Sequence, residues 1–156
     1  MEQRFNFYAA APEAYKALSS VEAYLHQCGL EKKLLHLIKM RVSQINGCAF
    51  CLDMHSKDLR ASGEEEQRLY TLDAWRECPW FTDRERAALA WAEALTRVSE
   101  DHVPDAVYNE VQKQFNEKEI SNLSVAIAMI NVWNRLCIAA RVPPGTYQVG
   151  TKNHAK

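Results

Sequence analysis

The sequence predicts an all-α fold: a single-domain helical bundle of about six to eight helices. Three observations predict it. Helix caps and stops recur along the chain, the apolar residues between them follow a period near 3.6, and few runs alternate with period two. No Asn-Gly pair stands between two strand-like runs, so no hairpin is expected.

The elements follow in order. Pro12, in Ala11-Pro12-Glu13, is placed to open a helix, because its missing N–H costs nothing at a first helical position. Gly29 after Cys28 offers a stop. Residues 31–45 carry apolar side chains at 34, 35, 37, 38, 42 and 45, close to helical spacing. Asn46 and Gly47 both tolerate left-handed backbone angles and make a turn. A second helix is expected over about 48–61, so the two should form an antiparallel hairpin. Ser62-Gly63-Glu64-Glu65 and Thr82-Asp83-Arg84-Glu85 both read as capping boxes, and Asn116 to Glu119 has the same spacing. Pro104 can open a further helix. Residues 120–141 form the most apolar stretch, expected at the centre of the bundle or in an interface, where Asn122, Asn131, Asn134 and Arg135 need partners. Pro143-Pro144-Gly145 ends it, and the tail after about 146 is expected to be loose.

Composition narrows the classes of function. A chain of 156 residues, 47% apolar and 25% charged, suits one folded domain. A formal net charge of −1 offers no basic excess for nucleic acid or an anionic membrane surface. The longest all-apolar run in the late hydrophobic stretch, Val125 to Ile130, is too short to span a bilayer. The first residues lack a secretory pattern, which points to a cytoplasmic protein that keeps its N-terminus. Five cysteines are an odd number without the spacing of a secreted disulfide framework, and a close pair in a reducing compartment points to catalysis or metal.

That pair is Cys48 and Cys51, in Asn46-Gly47-Cys48-Ala49-Phe50-Cys51-Leu52-Asp53-Met54-His55. Cys48 falls near a helix N-terminus, where free N–H groups and the macrodipole favour a thiolate. Cys51 follows one turn later, at a spacing that admits a disulfide. His55, four residues on, shares the face and can take a proton from a thiol or stabilise a thiolate. Counting outward from the turn at about 1.5 Å per residue puts position 36 level with 55–58, so His36 can point at the same pocket. Cys28, Cys78 and Cys137 lack such context and read as plain core or half-buried residues. His26, His102 and His154 read as surface residues.

The stretch from Met40 to His55 resembles the alkylhydroperoxidase D-like proteins of the carboxymuconolactone decarboxylase superfamily. The likeness continues through residues 74–77, 84–91 and 131–135. The resemblance implies an all-helical fold that assembles into homo-oligomers, often trimers or hexamers. It also implies thiol peroxidase or disulfide reductase activity, with the two cysteines cycling between dithiol and disulfide and the histidine in a proton relay. Members without the pair include true lactone decarboxylases, an activity against which Cys48 and Cys51 argue. Two positions depart from the pattern. The relay usually has glutamate twelve residues before the first cysteine, where this chain has His36, and the best-known members have histidine where this chain has Phe50. An imidazole at 36 can accept a proton but supplies no negative charge.

The expected function is therefore a thiol-dependent antioxidant oxidoreductase. Cys51 is the expected nucleophile, Cys48 the resolving thiol, and His55 and His36 the relay. Cys48's place at the helix end leaves the opposite assignment of the cysteines open. The substrate would be a small peroxide, the reductant a dithiol or a redox partner protein, and no cofactor is called for. Two rivals stand beside this reading. Cys48, Cys51, His55 and His36 could form a Cys₂His₂ metal site, or the chain could be a non-catalytic oligomeric scaffold.

Overall fold

The computed structural model describes residues 2–150, whose regular secondary structure is helix alone, with no strand among them. α1 (Phe7–Ala10) and α2 (Pro12–Leu25) precede the hairpin of α3 (Lys32–Asn46) and α4 (Ala49–Ala61). α5 (Glu66–Tyr70) and a 3-10 turn (Leu72–Ala74) lead to α6 (Asp83–Thr96). α7 (Val98–Asp101), α8 (Asp105–Gln114) and the long α9 (Glu117–Ala140) complete the order. α1 and α7 are single turns of four residues, so seven longer helices form the bundle.

Local chemistry explains most boundaries. Pro12 is the first residue of α2. Thr82 and Glu85 close a capping box on α6, and Asn116 and Glu119 close another on α9. At residues 62–65 the expected box does not form. Ser62 instead turns its hydroxyl back to the carbonyl of Leu59 at 2.7 Å, Gly63 takes φ +80°, and α5 begins only at Glu66 without a side-chain cap. The α4 end won the serine because the left-handed glycine beside it makes a helix stop.

α3, α6 and α9 pack on one another at the centre, with α4 against α3 and α8 against α6. Their shared core includes Ile38, Val42, Ala88, Ala92, Leu123, Ala126 and Ile127. A second core, around Leu37, Leu59, Leu72 and Leu89, lies under α5 and the 3-10 turn. By length and composition alone α9 could cross a membrane. Its packing against α2, α3, α4 and α6 accounts for that apolar character. The polar residues singled out in the sequence, Asn122, Asn131, Asn134 and Arg135, are partnered. Asn122 accepts from Tyr24 at 2.8 Å and donates to the carbonyl of Cys28, and Arg135 donates to Asn131.

The chain beyond α9 returns to α4. The carboxylate of Asp53 accepts from the backbone N–H of Gly145 at 3.0 Å, Lys57 donates to the carbonyl of Tyr147, and the Tyr147 hydroxyl donates to Asp58. These contacts hold the chain against α4 through Tyr147. His154 lies outside the described residues.

Candidate active site

The site begins at the turn between α3 and α4. Gly47 ends α3 with φ +67°, and the Cys48 N–H donates back to the carbonyl of Ser43 at 3.0 Å. Asparagines from α9 hold this turn from below. Asn46 donates to Asn131 at 3.0 Å and to Asn134 at 2.9 Å, and Asn134, fully buried, donates to the hydroxyl of Ser43 at 3.1 Å. Cys48 is the N-cap of α4, and Cys51 sits in its first turn.

The two are joined as a disulfide, Cα atoms 5.4 Å apart, each 1% exposed. The bond lies between two cavities. Cys51 lines the larger, of about 610 Å³, and Cys48 the smaller, of about 350 Å³. The sulfur of Cys137, on α9, lies within 4.8 Å of both bonded sulfurs. It is buried as the sequence suggested, and burial pushes its thiol up to about 12, but nothing local in the sequence placed it beside the pair.

His36 and His55 meet in the larger cavity, as the counting across the hairpin predicted. Their Nδ1 atoms are 3.4 Å apart, and His36 Nδ1 is 3.8 Å from Asp58 Oδ2. His55 is 4% exposed, and its Nε2 has no hydrogen-bond partner among the described residues. Burial holds His55 neutral, its pKa well below the usual imidazole value, and the Lys39 charge pushes the same way. His36 is lowered too, chiefly by burial, against the pull of Asp58.

Further residues of this wall escaped the sequence reading. Lys39 donates to Glu22 at 2.6 Å, and the other oxygen of Glu22 accepts from the Trp133 indole at 2.8 Å. Met54 supplies apolar wall beside Phe50, the position already noted as departing from the family pattern. Lys39 stands three residues after His36 and Asp58 three after His55, so helical spacing was a usable signal for both. Glu22 and Trp133 are 111 residues apart, and no local pattern links them.

The rival Cys₂His₂ set is not assembled among the described residues. The two cysteines are spent on each other, and the metal-capable atoms fall into two groups: Cys48, Cys51 and Cys137 in one, His36, His55 and Asp58 in the other. Trp75 and Arg76 serve structure, both donating to the buried Glu93, which also receives Arg41 at 2.7 Å.

Fold and site define an all-helical protein with a buried C-x-x-C disulfide at a helix start, facing a cavity that holds two histidines. The chain belongs to the carboxymuconolactone decarboxylase family, whose model matches residues 10–94. It is 44% identical over 139 residues to the uncharacterised protein YdfG of Bacillus subtilis, a match that covers 89% of this chain and 95% of that one. A crystal structure of ATU0492 from Agrobacterium tumefaciens, of unknown function and proposed to be the antioxidant defence protein AhpD, superposes with a TM-score of 0.90. It shares 42% identity and covers 94% of this chain and 100% of that one. A 43-residue stretch is 40% identical to the alkyl hydroperoxide reductase AhpD of Bradyrhizobium diazoefficiens, covering 28% of this chain and 24% of that one. The fold is also that of the debrominase Bmp8, with a TM-score of 0.79 at 19% identity, covering 88% of this chain and 74% of that one.

Proposed function

We propose that the chain is a thiol-dependent antioxidant oxidoreductase that cycles Cys48 and Cys51 between dithiol and disulfide. The observation that carries this reading is the Cys48–Cys51 disulfide on the first turn of α4, with Cys51 on the cavity that holds His55 and His36. The AhpD-type relatives agree with it.

In the reduced protein, His55 takes the proton of the Cys51 thiol. The thiolate attacks the terminal oxygen of a small hydroperoxide, the O–O bond breaks, and the alkoxide leaves as the alcohol with the proton that His55 returns. Cys51 is then a sulfenic acid. The Cys48 sulfur attacks it, water leaves, and the disulfide forms. A dithiol, small or on a partner protein, restores the pair by exchange and is itself oxidised to a disulfide. Placing Cys51 rather than Cys48 on the histidine cavity favours Cys51 as the attacking thiol. A cytoplasmic homo-oligomer, trimer or hexamer, is part of the same proposal.

Free thiols titrated before and after one equivalent of hydrogen peroxide test it. The reduced protein should lose two thiols, peptide mapping should join Cys48 to Cys51, and a dithiol should reverse the change. Thiols that survive peroxide in folded protein would sink the reading.

A further inference from the structure

Opposing helices bring three ligating groups together in the larger cavity. His36 comes from α3, and His55 and Asp58 come from successive turns of α4. One ligating atom of each lies within 4.8 Å of the others. The 3.4 Å between the two Nδ1 atoms is long for a hydrogen bond, whose usual span is about 2.7–3.2 Å. It is close to the edge of a metal tetrahedron: two nitrogens each about 2.05 Å from one ion, at a tetrahedral angle, stand about 3.3 Å apart. Asp58 Oδ2 lies 3.8 Å from His36 Nδ1, about 0.5 Å longer than such an edge, and within 4.8 Å of the ligating nitrogen of His55.

We propose that His36, His55 and Asp58 form a binding site for a borderline-soft divalent transition metal ion, zinc above all, with its fourth position open to the cavity. The donor set is two imidazoles and one carboxylate, the mixture such ions accept when a coordination position stays open. The disulfide keeps the thiols of Cys48 and Cys51 out of the ligand set. Lys39, which lines the same cavity, is held by Glu22 at 2.6 Å, so among the charges of Lys39, Glu22 and Asp58 that of Asp58 is left unbalanced. Asp58 is also oriented from its other oxygen by the Tyr147 hydroxyl, an outer-shell contact of the kind that fixes metal-binding carboxylates. The site does not depend on the redox reading. If both hold, an ion on His55 competes with the proton that His55 takes from Cys51.

Cobalt(II), a spectroscopic stand-in for zinc, tests the site in full-length oxidised protein without a polyhistidine tag. The titration should saturate at about one ion per chain. Visible d–d bands of a four- or five-coordinate N/O site should appear without a thiolate-to-cobalt charge-transfer band, and zinc should displace them. His36→Leu and Asp58→Asn should each weaken binding at least about tenfold, while Cys137→Ser leaves it unchanged. Helical circular dichroism and melting on each variant separate lost binding from lost fold. The proposal is overturned if the folded wild-type protein binds no ion, if binding is indifferent to both substitutions, or if thiolate bands place the ion on cysteine. The wild-type titration decides even if a variant fails to fold, and none of these readouts uses peroxide turnover.

Discussion

His36 Nδ1 faces His55 Nδ1 at 3.4 Å across the α3–α4 hairpin, with Asp58 Oδ2 at 3.8 Å from the same His36 nitrogen. Two imidazoles therefore stand where a carboxylate–imidazole pair would hold a proton by charge. Both are driven toward the neutral form by burial, which for His36 outweighs the nearby Asp58 carboxylate and for His55 is reinforced by the charge of Lys39.

That neutrality predicts a pH dependence of stability. Both folded pKa values lie below the unfolded value of about 6.5, so below that pH the unfolded chain binds protons that the folded chain refuses. Stability should be full above about pH 7 and fall as pH drops through 6.5. The slope approaches about 1.4 kcal/mol per pH unit for each histidine in that regime. Urea unfolding from pH 8 to 5.5 measures it, and His55→Leu should flatten the curve. A wild-type curve already flat over this range contradicts the assignment.

The two cysteines should be separable. Cys51→Ser should remove peroxide turnover, a loss of at least about a hundredfold. Cys48→Ser should still react once and accumulate a sulfenic acid at Cys51, because the resolving sulfur is gone. Mass spectrometry with a sulfenic-acid trap reads both. A trapped adduct at Cys48 in Cys51→Ser would reverse the roles.

The turn that presents Cys48 depends on Gly47 and on Asn134. Gly47→Ala meets no atom within 4 Å, so its cost is purely that of φ +67° on an L-residue, about 1–2 kcal/mol. Asn134→Ala removes one hydrogen bond from Asn46, which keeps Asn131, and one from the buried hydroxyl of Ser43, which keeps the carbonyl of Lys39, and should cost about 1–3 kcal/mol. Chemical denaturation compares the two, and Gly47→Asn should recover part of the first loss because asparagine tolerates the left-handed region.

These cases show what the sequence made legible. Pro12, Thr82 and Asn116 marked helix starts because their action is local, and the short Asn46-Gly47 turn let His36 be placed by counting rise per residue. Ser62 misled because the same residues can cap a new helix or finish the old one, and only packing chooses between them. Trp133, Glu22 and Cys137 were out of reach. Their places in the site depend on how α9 is rotated against α2 and α4, which 3.6-residue periodicity leaves open when a helix is apolar on most of its surface.

The substitution at position 36 gives the sharpest test of how the site works. In the relay that the family resemblance implies, a carboxylate stands at this position, and a carboxylate beside His55 would favour the imidazolium by about 1–3 pKa units. His36→Glu should therefore raise the pKa of His55 toward neutrality, improving it as a proton acceptor and letting its charged form stabilise a Cys51 thiolate. The expected outcome is a gain of about tenfold in kcat/KM for a small hydroperoxide at pH 7, with the acid limb of the pH–rate profile moved upward. Kinetics of both proteins from pH 5 to 9, under excess dithiol, measure it. An unchanged rate with a shifted profile would mean that proton transfer is not limiting. A fall in rate would mean that His36 is itself part of the relay and that Asp58, behind it, supplies the charge.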